Sequence, residues 1–251
     1  MLKDFHMRFF SSIFLFFPLL LLFSKNNLIF LFIIQILLTL SLWEFFRLKK
    51  FKDLSRKRPK IEPLLLISRQ KISSLDFLII LKVNILLVFF FHSPNYILII
   101  LILSLFISYL YFILEFNFEK LLGLIYCSIP FFILIDLRID DNFYEYLFYI
   151  FFFAILTDVF SYLSGKIIKG KKIFPSISSG KTFSGTIGGI LIPCILSVFM
   201  FINTVDVYLI IFTSICFSVV VQLGDLLESY FKRLCDVKDS SSLIPGHGGV
   251  L

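Results

Sequence analysis

Apolar positions in this chain come in long, nearly unbroken runs, and the polar positions are pushed to the ends of those runs. About 20 largely apolar residues are needed for a helix to cross a bilayer. Eight runs approach that length: roughly 9–24, 28–46, 76–91, 95–114, 121–135, 143–163, 185–203 and 207–224. The first, third and fifth are short and would be tilted, re-entrant or extended into their flanks. The expected fold class is therefore all-α: a polytopic integral membrane protein of about eight transmembrane helices.

Charge orients these spans. With the N-terminus inside and the spans alternating, only Lys25 and Arg138 fall in outer loops and Lys82 falls within a span; the other 21 of the 24 Lys and Arg lie inside. That asymmetry is what the positive-inside rule demands, and it places both termini in the cytoplasm. The stretch RLKKFKDLSRKRPK (47–60) then reads first as a topology anchor and second as a site for anionic lipids.

Composition agrees with a lipid solvent. Hydrophobic residues make up 59% of the 251 and charged residues 16%, more apolar surface than a soluble domain of this length can hide. The net charge of +7 follows from topology, so no nucleic-acid partner is expected. Lys3 and Arg8 precede the first run without a small-residue cleavage site after it, which reads as a retained signal anchor. Cys127, Cys194, Cys216 and Cys235 have no metal-binding spacing. Without repeats or linkers, residues 1–251 read as a single membrane domain, with N-terminal helices over 1–150 and a catalytic-like region over 151–251.

Chemistry collects in that second region, where ionisable groups at membrane depth mark function by their cost. In TDVFSYLSGKIIKGKKIFPSISSGKTFSGTIGG (157–189), Asp158, Ser161, Tyr162 and Gly165 follow at helical spacing. Lys166, Lys169, Lys171, Lys172 and Lys181 sit among Ser, Thr and Gly, a mixture that suits phosphate oxygens. The SSGKT stretch (178–182) is not a P-loop, because Pro175 stands where that motif needs Gly. The GTIGG stretch (185–189) reads as a small-residue face for close helix packing. In QLGDLLESYFKRLCDVKD (222–239), Asp225, Glu228, Ser229 and Lys232 recur every three or four residues along one helical stripe. That stripe is either a divalent-cation and phosphate site or a set of i,i+4 ion pairs. The tail KDSSSLIPGHGGVL adds His247 among glycines, either a proton-handling group or part of a solvated tail.

From Ser229 through Lys232-Arg233, Lys238-Asp239, Pro245 and His247-Gly248-Gly249, the sequence resembles the signature of the phosphatidate cytidylyltransferases, also called CDP-diacylglycerol synthases. GDLLES (224–229), the stretch from Asp158 through ISSGKTFSGTIGG, and LWEFFRL (42–48) with Trp43 and Glu44 are also similar. The resemblance implies a nucleotidyltransferase of the inner (plasma) membrane with its site on the cytoplasmic side. CTP and phosphatidic acid are the implied substrates within membrane lipid, and a homodimer is the implied assembly. Mg2+ is the implied cofactor, with room for a second metal ion, on Asp225, Glu228 and Asp239. Asp225, Lys238, Asp239 and His247 would be catalytic. Asp158, Lys181, Thr182, Ser229, Lys232 and Arg233 would bind substrate.

Two departures stand out. Ser179, Gly180 and Ser184 occupy positions where the family usually carries Pro, Lys and an acidic residue. The family also continues past His-Gly-Gly with Asp-Arg-hydrophobic-Asp and a further helix, so the chain reads as truncated. The alternative to an active transferase is an inactive relic or structural membrane protein of the same fold. A transporter fits poorly, because only Lys82 and Asn84 are polar near mid-span.

Overall fold

The computed structural model describes residues 17–55, 72–92, 118–178, 180–203, 205–235, 237, 240–241 and 249. Among them are six named helices: α1 (Asn27–Ser55), α2 (Ser74–His92), α3 (Phe118–Leu137), α4 (Phe143–Ile167), α5 (Phe183–Phe201) and α6 (Val207–Leu234). They contain no strand, only an isolated antiparallel bridge between Lys172 and Thr182. Five of these helices are long and apolar enough to cross a membrane: α1 over Asn27–Leu48, α3 over Lys120–Leu137, and all of α4, α5 and α6. These match the expected spans at 28–46, 121–135, 143–163, 185–203 and 207–224. The expected span at 76–91 is helical as α2 but does not join that set. The expected span at 95–114, and most of that at 9–24, lie outside the described residues.

The chain divides into two compact units, Met1–Phe143 with Cys235–Leu251, and Tyr144–Leu234. In the first unit α1 packs on both α2 and α3. Its buried line is Phe30, Ile34, Leu38, Leu42 and Phe46, one residue every four, which keeps the stripe on one slowly winding face. Asn26 begins α1 by accepting from the Leu28 amide at 2.9 Å, the capping role for which short polar side chains are favoured. Ser73 does the same for α2 through the Asp76 amide at 3.1 Å. Asn84, midway along α2, donates to Thr39 Oγ1 at 3.0 Å, so it ties α2 to α1. At one end Arg138 donates to the Ser24 carbonyl at 2.8 Å and lies over the rings of Phe30 and Phe143.

In the second unit small residues set the helix spacing. Gly185, Gly188 and Gly189 of α5 face α4 so closely that a Cβ on any of them would meet Ser161 or Ser164. Without a hydrophobic drive between helices in lipid, such close backbone approach is what holds spans together. The expected packing role of GTIGG is therefore observed. A buried hydrogen bond of 3.2 Å links Thr157 of α4 to Ser218 of α6. Thr182 caps α5, and Asp206 caps α6 through the amides of Tyr208 and Leu209. Exposed side chains such as Phe199, Tyr208 and Phe212 form a surface suited to lipid rather than water. At 1.5 Å per residue, the 28 residues of α6 reach about 42 Å. That length carries its polar last turns past a hydrocarbon core of about 30 Å.

Candidate active site

The polar end of the second unit is assembled from the ends of three helices. Asp158, Ser161 and Tyr162 come from the last turns of α4; Lys181 and Thr182 from the loop end that leads into α5; Gly185 and Thr186 from the first turn of α5; and Gln222 and Asp225 from α6. With Gly180 these residues line one cavity of about 340 Å3. The helical spacing of Asp158, Ser161 and Tyr162 does put them on one face. What spacing alone did not reveal is that the face meets Asp225, 67 positions later in the chain.

Local structure explains why Lys181 points there. The loop between α4 and α5 closes on itself: the Ile173 amide donates to the Lys181 carbonyl at 3.2 Å, and the Phe183 amide to the Lys171 carbonyl at 3.0 Å. Gly170, at φ +132°, makes the reversal that a side chain would resist. Ser184 donates to the Lys169 carbonyl; the residue that stands where the resemblance implies an acid thus braces the loop. Thr182 then ends the loop as the cap of α5, its hydroxyl accepting from the Gly185 amide at 3.2 Å.

Lys181 Nζ lies 2.7 Å from Asp225 Oδ2 and donates to the Gln222 carbonyl at 3.2 Å. Asp158 feels the charges of both Asp225 and Lys181. Asp158 and Asp225 thus line one cavity with Lys181, which is ion-paired to Asp225. Asp225 remains about half exposed, open to a ligand arriving from outside. The Ser161 hydroxyl is buried without a hydrogen-bond partner. Such orphaned polar atoms are costly and rare; this one is packed against Gly189 of α5.

The other expected site residues are distributed differently. Glu228 pairs with Lys232 at 2.7 Å across one helical turn, and Arg233 donates to the Ile177 carbonyl at 3.1 Å. Ser229 lies on the same helix, half-buried, but none of these four lines the cavity. Lys238, Asp239 and His247 lie outside the described residues. Among the described residues no three His, Cys, Asp or Glu side chains gather as a metal cluster. Ser161, Tyr162, Gly185, Thr186 and Gln222 join the cavity without having been singled out as site residues. Ser161 and Tyr162 carried a signal, one helical turn from Asp158.

A second, larger cavity of about 890 Å3 lies against α4 and α5 in the same unit. Its walls include Ile168, Ile187, Leu191 and Ile195, and Lys169, Lys171 and Lys172 line it as well. It is an apolar groove with a cationic rim.

The cytidylyltransferase family model matches residues 6–251. The chain belongs to the cytidylyltransferase family. Among its relatives, a phosphatidate cytidylyltransferase of Staphylococcus haemolyticus is 40% identical over 111 residues, covering 43% of this chain and 42% of the relative. Those of Staphylococcus saprophyticus and Staphylococcus aureus are 36% and 37% identical over 135 residues, covering 52% of this chain and 51% of each relative. The chain thus aligns with about half the length of the relatives it matches. No solved structure matches.

Proposed function

We propose that this member of the cytidylyltransferase family joins CTP to phosphatidic acid, giving CDP-diacylglycerol and pyrophosphate. The observation that carries the reading is the Asp158–Lys181–Asp225 cavity, a charged pocket built on membrane helices of a chain in this family. In the reaction a phosphate oxygen of the lipid forms a bond to the α-phosphorus of CTP. The α–β phosphoanhydride bond breaks and pyrophosphate leaves with its electron pair. Both substrates are anionic, so the protein's contribution is to position them and offset their charge.

The residues present fit Mg2+. Asp158 and Asp225 line one cavity and supply hard carboxylate oxygens, and Mg2+ is usually held by one or two carboxylates plus substrate phosphates. When bound, the ion supplies charge neutralisation at the phosphates. Asp239 and a second ion, implied by the resemblance, belong to this proposal as well. Glu228 fits the ion less well, since it does not line the cavity that holds Asp158 and Asp225.

The chain's own groups do the rest. Lys181 is placed to leave Asp225 for a phosphate, with the Thr182 hydroxyl beside it. The groove beside Lys169, Lys171 and Lys172 suits an acyl chain beneath an anionic headgroup. An eight-span inner-membrane protein with both ends and the site on the cytoplasmic side would let soluble nucleotide meet bilayer lipid. A homodimer is the assembly that goes with this reading.

The test is pyrophosphate release from CTP in lipid nanodiscs, measured for the 251-residue chain and for the chain carrying the family's Asp-Arg-x-Asp ending and helix. Release that requires both phosphatidic acid and Mg2+ is expected. Release from neither form, or release independent of phosphatidic acid, contradicts the proposal.

A further inference from the structure

The groove of about 890 Å3 lies wholly within the second unit. Ile187, Leu191 and Ile195 recur every four residues down its α5 wall, and Ser164 of α4 with Ile168 just past that helix lines it too. Leu191 and Ile195 are each 54% exposed, so this wall is open to the bilayer. At 1.5 Å per residue, Ile187 to Ile195 covers about 12 Å, close to half of a hydrocarbon core of about 30 Å. The groove therefore runs from a polar mouth to the middle of the span, the depth of one leaflet. Its mouth is shaped by the backbone. Lys169 has φ 59° and Gly170 φ +132°, and the Lys169 carbonyl is held by the Ser184 hydroxyl. A left-handed turn of this kind is uncommon for a side-chain-bearing residue, and here it gathers Lys169, Lys171 and Lys172 on the rim. Lys181 pairs with Asp225 and Lys232 with Glu228. None of the three rim ammoniums has a carboxylate partner among the described residues.

We propose that the groove holds one anionic diacyl phospholipid of the bilayer, and that this bound lipid is not the one that reacts. Its phosphate rests on Lys169, Lys171 and Lys172, and one acyl chain lies along Ile187, Leu191 and Ile195. Unpaired cations at a membrane surface attract anionic headgroups, and the apolar wall beneath them accepts a hydrocarbon chain. The separation from the reacting site follows from the helix packing. The groove and the Asp158–Asp225 cavity share no lining residue. Between them α4 and α5 touch: a Cβ added at Gly185 would lie 3.4 Å from the Gly165 Cα, and one at Gly188 would overlap the Ser164 side chain. Around α5, Thr186 of the cavity and Leu191 of the groove point about 140° apart. A phosphate on the rim therefore stands on the other flank of this seam from Asp225. A second copy of the chain fits the groove poorly. Copies that share one membrane orientation would bring two like-charged rims together at the same depth, which is repulsive.

The test is native mass spectrometry of the purified 251-residue chain, titrated in detergent with phosphatidylglycerol or with phosphatidylcholine. Neither CTP nor phosphatidic acid is present, so the outcome is independent of turnover and of the transferase reading. A single phosphatidylglycerol adduct is expected, bound at least tenfold more tightly than phosphatidylcholine. Lys169→Gln/Lys171→Gln/Lys172→Gln removes the rim charges, and Leu191→Trp fills the groove; each should weaken the adduct at least tenfold. All four side chains are exposed, so the fold tolerates both changes, and a melting temperature close to wild type verifies this. Lys49→Gln/Lys50→Gln/Lys52→Gln removes as much charge from the 47–60 stretch, and Asp225→Asn alters the cavity; both should leave the adduct within about twofold. Equal retention of the two lipids overturns the proposal, as does an adduct that persists in both groove variants. Loss in the 49–52 variant would place the headgroup elsewhere, and loss in Asp225→Asn would merge groove and cavity; either overturns it. So does a dimer of chains appearing in place of the lipid adduct.

Discussion

Gly185 and Gly224 both lie inside helices, and replacing each by Ala should change stability in opposite directions. An added Cβ at Gly185 would lie 2.7 Å from the Ser161 carbonyl oxygen, 3.1 Å from Thr182 Oγ1 and 3.4 Å from the Gly165 Cα. The first and last are backbone atoms of α4, so relief requires the two helices to separate. Overpacking of this kind costs about 1–3 kcal/mol, against a helix-propensity gain of up to about 1 kcal/mol for Ala over Gly. The net expectation for Gly185→Ala is a loss of about 1–2 kcal/mol. At Gly224 nothing lies within 4 Å of the added atom, so only the propensity gain remains, about 0.5–1 kcal/mol of stabilisation. For a chain of this size each kcal/mol moves the melting temperature by roughly 2–4 °C. Thermal unfolding in one nanodisc preparation should therefore show Gly185→Ala below wild type and Gly224→Ala at or above it. Equal melting temperatures for the two variants would refute the claim that α4 and α5 touch at Gly185.

Other expectations follow from single contacts. Lys181→Met should leave stability within about 1 kcal/mol, because its partner Asp225 is half exposed and such pairs contribute little; it should nevertheless raise KM for CTP at least tenfold in steady-state assays. Asn84→Leu removes the hydrogen bond to Thr39 and should cost about 0.6–1.7 kcal/mol in the same unfolding measurement, with kcat unchanged. Glu228→Gln breaks only the i,i+4 pair with Lys232 and should shift stability by less than about 0.5 kcal/mol; a loss of several kcal/mol would show that Glu228 has a larger structural role.

The helices were legible because lipid demands a simple pattern: long apolar runs punctuated by charge. The packing role of Gly185, Gly188 and Gly189 was legible too, since small residues four apart on a span have few other uses. Asp158 and Asp225 stood out individually, as carboxylates near the ends of apolar helices. Their meeting in one cavity was not legible, because helical spacing fixes which residues share a face and says nothing about which face of a distant helix it joins. Glu228 shows the reverse. Its spacing allowed both a cation site and an ion pair, and only the structure supplies the 2.7 Å contact with Lys232. Glu44 was noted only within the LWEFFRL resemblance at the end of a span; its partners lie at Ser240 and Ser241, and no local pattern connects them.

The central claim is cytidylyl transfer at the Asp158–Lys181–Asp225 cavity, and the position of a radiolabel tests it most directly. The chain, with and without the family's ending, is incubated with phosphatidic acid, Mg2+ and CTP labelled at either the α- or the γ-phosphorus, alongside Asp158→Asn and Asp225→Asn. The α-label should enter the lipid and the γ-label should remain in released pyrophosphate, with transfer reduced at least a hundredfold in both variants, the scale of losing one electrostatic contact to the reacting phosphates. Transfer of the γ-label to lipid, or α-label transfer that survives both substitutions at near wild-type rate, would contradict the account.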